Sequence, residues 1–269
     1  NMPGFPQVAP DEGSNALDVP FVLGDVDGDG DLEAWGPHSL GNAFIHYRIS
    51  AFDHLGTRLF TRDLNPNENT LSLYFGDLDG NGTREMFAVT LADNTTMSLH
   101  AFDADGNDLP GSPRVLYTLA GEWPTFGPPV VADLDGDGYC DLVVRDREGA
   151  VRVYWGGGDG IDPGRCALLP VAPDPPDPGA EGRRRYAESV EDAPPLVKVV
   201  RLGRAWQVFV ARRERVWLVP AVRGTRQFGR PWTLACPHAL SVAVGDLNAD
   251  GYDDEIVTAF KDGGEHLQV

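Results

Sequence analysis

Acidic side chains recur in this sequence at a spacing that suits a hard metal ion. The stretch from Asp133 to Asp141 reads DLDGDGYCD, with oxygen-bearing side chains at positions 1, 3, 5 and 9 and glycine at position 6. The pattern returns as DVDGDGDLE from Asp25, DLDGNGTRE from Asp77 and DLNADGYDD from Asp246. In such a loop alternate carboxylates turn inward around a cation, the carbonyl of position 7 adds an oxygen, and the glycine permits a sharp bend.

The ligand types favour calcium. Hard cations prefer carboxylate and carbonyl oxygens, and Mg²⁺ is the weaker alternative because it requires small octahedral sites and keeps its waters. Without an ion, each loop would crowd several carboxylates together at an electrostatic cost. We therefore predict a Ca²⁺ site in each of the four loops. The candidate metal ligands, at positions 1, 3, 5, 7 and 9, are Asp25, Asp27, Asp29, Asp31, Glu33, Asp77, Asp79, Asn81, Thr83, Glu85, Asp133, Asp135, Asp137, Tyr139, Asp141, Asp246, Asn248, Asp250, Tyr252 and Asp254.

Short apolar runs flank every loop, and they predict β-strands rather than the helices of an EF-hand. The runs are rich in β-branched and aromatic residues and are bounded by glycine and proline. The third loop, for example, follows Pro129-Val130-Val131-Ala132 and precedes Leu142-Val143-Val144. The predicted unit is therefore a strand, a metal loop and a second strand.

The spacing of the loops predicts repeated units. The loops begin at residues 25, 77, 133 and 246, so the intervals are 52, 56 and 113 residues. Because the last interval is about twice the others, we expect a further unit between the third and fourth loops. Strand-like runs at 194–200, 206–210 and 215–219 fit it, and its turn from Arg201 to Ala205 carries no carboxylate. Repeats of about 50 residues made of short strands indicate a solenoid or a β-propeller.

The units resemble FG-GAP repeats, also called VCBS-type repeats, the blades of integrin α-subunits and of many secreted bacterial proteins. Besides the loops, the resemblance rests on LHAFDADGNDLPGSP, from Leu99 to Pro113, and on the weaker copy ISAFDHLGTRL, from Ile49 to Leu59. It implies an all-β fold, a β-propeller of four-stranded blades, in which residues 99–113 form a third strand, a turn and a fourth strand. It also implies structural calcium loops at one rim and ligands on the opposite face or between blades.

The repeats predict one domain over residues 1–269. The expected units are about 19–63, 71–118, 128–171, 194–232 and 238–269, the last completed by residues 1–8. Met2-Pro3-Gly4-Phe5-Pro6 resembles Leu109-Pro110-Gly111-Ser112-Pro113, so the chain is expected to open on the last strand of a blade. That strand would close a five-bladed ring and remove its exposed edges. The alternative is a piece of a longer array.

A proline- and glycine-rich stretch interrupts the third unit. Residues 156–193 contain Asp174-Pro175-Pro176-Asp177-Pro178, which cannot lie inside a sheet because proline removes ladder donors. We expect a long surface insertion with at most one strand, near Cys166 to Val171. A Cys140–Cys166 disulfide would tie this insertion to the third unit, and unpaired thiols are the alternative. With Cys236, the chain has three cysteines, and they lack the CxxC spacing of a zinc site.

The amino-acid composition, and above all the net charge, limits the classes of binding partner that this chain can have. The formal net charge is −19, and four bound calcium ions would cancel only eight of these charges. An acidic chain argues against nucleic acid and anionic membranes as partners. There is no apolar run long enough to span a bilayer, so no membrane insertion is expected, and no signal peptide is visible. The resemblance predicts an extracellular or cell-surface location. Calcium loops of this kind bind the ion weakly enough to suit the millimolar calcium found outside cells, which predicts the same location.

The sequence contains no motif that indicates catalysis. The six histidines show no HExxH arrangement, and GxSxG is absent, so no catalytic residue is predicted. Trp123 and Trp232 lie in connecting segments and are candidates for an exposed aromatic platform, whereas Trp35, Trp155, Trp206 and Trp217 fall within strand patterns. The predicted function is a non-catalytic binding or adhesion module for a protein or glycan. The alternative is an accessory or scaffold domain of a secreted enzyme such as a polysaccharide lyase or a phospholipase.

Overall fold

A computed structural model of the chain describes most of its residues. The described ranges are 21–39, 47–65, 68–93, 95–118, 129–145, 150–171, 196–202, 205–212, 215–235, 239–245, 255–261 and 265–268. The fourth acidic loop, Trp123 and residues 1–20 lie outside these ranges. The predicted fourth metal site and the predicted closure of the last blade by residues 1–8 therefore stay predictions.

The described residues form antiparallel sheets whose strands are neighbours in sequence as well as in space. Sheet 1 contains β1 (Val22–Gly24), β2 (Glu33–Ser39), β3 (Tyr47–Phe52) and β4 (Arg58–Asp63). Sheet 2 contains β5 (Glu68–Gly76), β6 (Glu85–Ala92), β7 (Thr96–Phe102) and β8 (Arg114–Thr118). Sheet 3 contains β9 (Val130–Ala132), β10 (Asp141–Arg145), β11 (Val151–Tyr154) and β12 (Cys166–Leu168). Sheet 4 contains β13 (Leu196–Leu202), β14 (Ala205–Arg212), β15 (Arg215–Pro220) and β16 (Trp232–Ala235), and sheet 5 contains β17 (Ala239–Gly245), β18 (Glu255–Lys261) and β19 (Glu265–Gln268).

This strand order confirms the all-β prediction for the described part of the chain. Each sheet is a simple meander, which forms when consecutive apolar runs are joined by short polar turns. An acidic loop connects the first two strands of sheets 1, 2 and 3, whereas the two residues between β13 and β14 of sheet 4, Gly203 and Arg204, carry no carboxylate. Within the described ranges, the structure contains no helix of the length and hydrophobicity needed to span a membrane.

The sheets belong to two compact units. The first unit contains sheets 1 and 2 together with residues 156–164, and the second contains sheets 3, 4 and 5. In the first unit Trp35 is fully buried and meets Phe60 and Phe75 edge-on, with ring centroids 4.5 and 5.9 Å away. Since Phe60 belongs to sheet 1 and Phe75 to sheet 2, Trp35 packs the two sheets together. Burying a large apolar side chain stabilises a fold by about 1.5–3 kcal/mol.

The second unit has its own apolar core. Strand residues of sheets 3 and 4, such as Val143, Val153, Val208 and Val219, are almost inaccessible to solvent and form one cluster. Trp155 joins this cluster and stacks on Phe228, with a centroid distance of 5.3 Å. The central strands β10 and β14 bury consecutive side chains on both faces, which explains why their apolar runs are continuous.

Two segments differ from the expectations. The fourth strand of sheet 2 begins at Arg114, whereas residues 109–113 form a turn, because Pro110 and Pro113 have no N–H to donate to a ladder. The expected surface insertion starts with a packed segment. Ile161 in that segment is 2% exposed, and the Arg114 guanidinium donates to its carbonyl at 2.7 Å.

Candidate metal centre

The three described acidic loops occupy the same place in their sheets and bend in the same way. Each begins directly after the first strand of its sheet and ends where the second strand starts. In all three loops the glycines at positions 4 and 6 have positive φ, for example 77° and 96° at Gly136 and Gly138. Most other residues are strained in this region, which explains why glycine is needed there. The fourth loop has Ala249 at position 4 and lies outside the described residues.

In each loop, side-chain oxygens accept an equivalent set of hydrogen bonds from backbone N–H groups and hold the loop in shape. The N–H of position 4 donates to the carboxylate of position 1 at 2.6–2.8 Å, and the N–H of position 5 donates to the side chain of position 3 at 3.1 Å. The N–H of position 7 donates to the side chain of position 5 at 2.6–3.0 Å. These short Asx-type turns force successive side chains to the same side of the loop.

The carboxylate at position 9 closes each loop. Glu33, Glu85 and Asp141 are almost fully buried, and each accepts a hydrogen bond from the N–H of position 2 at 2.7–2.9 Å. The side chain of position 2 is apolar and buried in all three loops, which anchors the loop to the core. Sequence reasoning missed this anchor, although the recurring Val or Leu at position 2 was a visible signal.

Carboxylates from each loop converge on one point. The ligand atoms of Asp25, Asp27 and Asp29 in the first loop lie within 4.8 Å of one another. So do those of Asp77, Asp79 and Glu85 in the second loop, and those of Asp133, Asp135 and Asp141 in the third. These three clusters contain most of the acidic ligands predicted for the described loops, and the sequence positions that supply them are 1, 3 and either 5 or 9.

The other predicted ligands have different neighbours. The Oδ2 atom of Asp31 lies 3.4 Å from the Nδ1 atom of His54. The carboxylate of Glu33 accepts a hydrogen bond from the N–H of Val26. The Asn81 oxygen accepts from the N–H of Thr83, and Asp137 lies beside Arg226. The side chain of Tyr139 carries a ring hydroxyl and no carboxylate, so the expected metal ligand at this position is its backbone carbonyl oxygen. The predicted residues of the fourth loop, Asp246 to Asp254, cannot be placed because they lie outside the described ranges.

The crowding of negative charge is visible in the ionisation of the loops. Burial raises the pKa of Glu33 above its usual value, and the charges of Asp27, Asp29 and Asp25 raise it further. Burial and the charge of Asp79 likewise raise the pKa of Glu85. Burial together with the charges of Asp137 and Asp133 raises the pKa of Asp135, although Arg226 opposes this shift. Each of these loops would therefore be stabilised by a cation that neutralises its carboxylates.

The donor set fits calcium. All the clustered side chains are carboxylates, the loops turn on glycine, and cysteine and histidine are absent from the clusters. Carboxylate and carbonyl oxygens on a flexible loop are the ligands of Ca²⁺, whereas Zn²⁺ favours sulfur and nitrogen. The residues present are therefore chemically suitable for the predicted ion.

A guanidinium lies next to the third loop. Arg226 lies in the turn that follows β15, and its nitrogens approach the carboxylates of Asp135 at 3.8 Å and Asp137 at 3.5 Å. In the same turn, the N–H of Gly224 donates a hydrogen bond to the backbone carbonyl of Asp135. Arg223, in this turn, lies close to the backbone of Gly136. Arg226 thus supplies part of the positive charge that an ion would bring to the third loop.

We expect Arg226→Gln to raise the calcium affinity of the third loop by about two- to fivefold, because a competing positive charge is removed from a partly exposed pair. Calorimetric titration with Ca²⁺ measures this change. Arg223→Gln is the matched control, since it removes the same charge from the same turn without removing an ion pair to Asp135 or Asp137. An equal effect of both substitutions, or an effect that persists after Asp133→Ala, would contradict the competition.

Sheet 2 contains a buried polar cluster that the sequence did not reveal. Glu68 is 1% exposed and accepts hydrogen bonds from the N–H of Asn65 at 3.1 Å and from the hydroxyl of Thr90. Its other neighbour is His100, whose Nε2 lies 2.7 Å from Oε1 of Glu68. Burial opposes ionisation of Glu68, but the hydrogen bond and charge of His100, with the bonds from Thr90 and Asn65, hold the pKa of Glu68 below its usual value.

The tryptophans and cysteines take up contrasting positions. Trp35 and Trp155 are buried in the cores, whereas Trp232 is 72% exposed on β16, the last strand of sheet 4. Cys140 and Cys166 are not joined by a disulfide in the structure. Of the two candidates for an exposed aromatic platform, Trp232 is therefore accessible, and Trp123 lies outside the described residues.

Comparisons with known proteins give only distant structural likenesses. No family model matches the sequence, and no curated protein matches it. Solved structures with partial similarity include the exotype rhamnogalacturonan lyase YesX (TM-score 0.44, 15% identity, 80% of this chain and 46% of that chain). They also include the Bacillus licheniformis rhamnogalacturonan lyase PL11 (0.43, 15%, 82% and 49%) and the Photorhabdus luminescens Tc holotoxin pore (0.42, 17%, 96% and 11%). The chain spans about half the length of the two lyases, and likenesses of this strength say nothing further about its function.

Proposed function

We propose that this chain is a calcium-stabilised binding module, with repeated sheets as the blades of a β-propeller, that presents its surface to a protein or glycan without catalysing a reaction. The observation that carries the calcium assignment is the recurrence of one loop geometry in sheets 1, 2 and 3. Three separate stretches of sequence converge their carboxylates through equivalent hydrogen bonds. A single acidic turn would be unremarkable on a protein surface, but the repetition supports a shared ligand.

In this proposal the side-chain oxygens at positions 1, 3, 5 and 9 hold the ion in each loop, and all are carboxylates except the amides of Asn81 and Asn248. Calcium would supply positive charge that fixes the turn between the first two strands of a sheet. The chain's own part is to keep the loop in shape beforehand, because the position 9 carboxylate is already bound to the N–H of position 2. Metal binding then couples to folding, since the ion binds the folded loop and not the unfolded chain.

The propeller assignment is supported by the repeated meander. Sheets 1 to 4 each contain four strands in sequence order, which is the construction of a propeller blade. The three described strands of sheet 5 have the same order. The predicted completion of this sheet by residues 1–8 falls outside the described residues.

An extracellular location follows from the same proposal. Loops of this type suit the millimolar calcium found outside cells. The glycines at positions 4 and 6 of the first and third loops lie on the surface, where the ion can exchange with solvent. The alternative role, as an accessory domain of a secreted enzyme, would use the same loops in the same structural way.

A binding screen tests the proposed function. The purified chain is applied to a glycan array and to a panel of extracellular matrix proteins in millimolar calcium, and both are repeated in EDTA. We expect saturable binding to one ligand class that weakens in EDTA as the loops lose their ions. Binding to neither panel by a folded, calcium-loaded chain would contradict the binding function, and conversion of the bound ligand to a product would contradict its non-catalytic character.

A further inference from the structure

A polar cleft lies between sheet 1 and sheet 2. It has a volume of about 360 Å³, which is within the usual range of roughly 300–1,000 Å³ for small-molecule sites. Sheet 1 and the turn that follows it contribute one wall, and the end of β7 with the turn after it contributes the other. The lining residues are Thr61, Arg62, Asp63, Asn65, His100, Phe102, Asp108 and Pro113.

His100 is fixed at the wall of this cleft from two sides. Its Nε2 lies 2.7 Å from the buried carboxylate of Glu68, and its ring stacks on Phe102 with planes inclined by 15°. The imidazole is only 5% exposed, yet it lines the cleft. Its Nδ1 has no hydrogen-bond partner among the described residues, so this atom is available to a ligand in the cleft.

The equivalent place in sheet 1 is constructed differently. The sequences Ile49-Ser50-Ala51-Phe52 and Leu99-His100-Ala101-Phe102 align, so Ser50 corresponds to His100. Ser50 is bonded to Thr61 across the sheet, with the two hydroxyl oxygens 2.7 Å apart. A repeat of this fold therefore forms with a small, internally bonded residue at this position. The bulkier Glu68–His100 pair is therefore not required for a sheet of this kind to form.

The charges around the cleft favour a neutral ligand. Asp63 is paired with Arg48, and the Arg62 guanidinium donates to the carbonyl of Gly106. Asp108 carries a carboxylate with no partner in the described part of the chain, and it balances the positive charge of Arg62. The carboxylate of Asp108, the amide of Asn65 and the imidazole of His100 then offer both donors and acceptors to a ligand.

We propose that this cleft binds one neutral sugar ring, with His100, Asn65 and Asp108 forming hydrogen bonds to its hydroxyl groups. Adjacent hydroxyls of a sugar each donate and accept, which matches the mixed donors and acceptors of this wall. A carboxylated sugar would be attracted by Arg62 but repelled by Asp108, and an amino sugar would meet the reverse, so neither charged sugar gains a clear advantage over a neutral one. The sugar site rests on the binding function proposed above and names its ligand class.

Titrations with methyl glycosides of neutral hexoses, and with the matching uronic acids and amino sugars, test the site in millimolar calcium. Amide signals of ¹⁵N-labelled chain report where each probe binds. We expect the neutral glycosides to shift the signals of Asn65, His100 and Asp108 and to bind more tightly than their charged counterparts. Because Asp108 is exposed, Asp108→Ala should keep the fold and weaken binding about tenfold, as for a lost hydrogen bond to a charged group.

Asp105→Ala is the matched control, since Asp105 is an exposed aspartate of the same turn that does not line the cleft. It should bind the glycosides as the unchanged chain does. Sugar binding with shifts elsewhere, or with no effect of Asp108→Ala, would overturn the cleft and leave the binding function intact. Preference for a charged sugar, or calcium-dependent binding of a protein by a chain that binds no glycoside, would overturn the sugar site alone. If the folded chain bound none of the tested sugars or proteins, the proposed binding function would be overturned as well.

Discussion

Replacing Asp133 with alanine should lower the free energy of unfolding by about 3–4 kcal/mol when calcium is present at about 100 times the dissociation constant of the third loop. A ligand present at 100 times its dissociation constant stabilises the folded state by about 2.7 kcal/mol, and the substitution removes that contribution from the third loop. It also removes the acceptor for the N–H groups of Gly136, Asp137 and Gly138. In EDTA the lost hydrogen bonds remain, but they are partly offset because the repulsion between Asp133 and Asp135 disappears, so the loss there should be at most about 1 kcal/mol.

Denaturant unfolding of both chains, with calcium and with EDTA, measures the difference. Asp105→Ala is a suitable control because Asp105 is exposed and lies outside the acidic loops. It should leave both unfolding curves unchanged. If Asp133→Ala destabilised the chain equally with calcium and with EDTA, Asp133 would stabilise the third loop through its hydrogen bonds alone. The assignment of calcium to that loop would then be wrong.

Glu68→Ala should be strongly destabilising, lowering the free energy of unfolding by about 3 kcal/mol at neutral pH. Removing one partner of a buried, hydrogen-bonded pair leaves the other unpaired at a cost of about 3–5 kcal/mol. Here the unpaired groups would be the imidazole of His100, the hydroxyl of Thr90 and the N–H of Asn65. Thr90→Val is the milder control, because it removes one hydrogen bond and should cost about 1 kcal/mol.

The same pair should make stability depend on pH. The pKa of Glu68 in the folded chain is held below its usual 4.5, so its contribution is fully present above that value. As the pH falls through the lower, folded-state pKa, the carboxylate binds a proton and the contribution disappears. Glu68→Gln, which does not titrate, should therefore differ from the unchanged chain in its unfolding free energy at neutral pH and converge with it in acid. A difference that is constant with pH would show that Glu68 is not ionised in the folded chain.

The loops were predictable because their chemistry is local. Nine consecutive residues contain the carboxylates, the glycines and the apolar anchor, and the hydrogen bonds join residues two to seven positions apart. The flanking strands were equally predictable, since β-branched runs bounded by glycine and proline indicate strands without reference to the rest of the chain. The exception at residues 109–113 is local as well, because prolines delay the start of β8 until Arg114.

The features that could not be predicted join distant residues. His100 and Glu68 lie 32 positions apart and meet only because β5 and β7 both pair with β6. In isolation, His100 is one of six histidines, and nothing near it in sequence indicates a buried partner. Arg226 likewise reaches the third acidic loop from sheet 4, a contact that depends on how two sheets pack and not on any motif.

Direct measurement of bound calcium tests the central claim most directly. Equilibrium dialysis of the chain against ⁴⁵Ca²⁺, at neutral pH and with excess Mg²⁺ to suppress non-specific binding, gives the number of ions held. The four acidic loops predict four bound calcium ions for each chain, and Asp133→Ala should reduce that number by one. Calcium that does not exceed the background, or a stoichiometry that Asp133→Ala leaves unchanged, would contradict the assignment of the loops as metal centres.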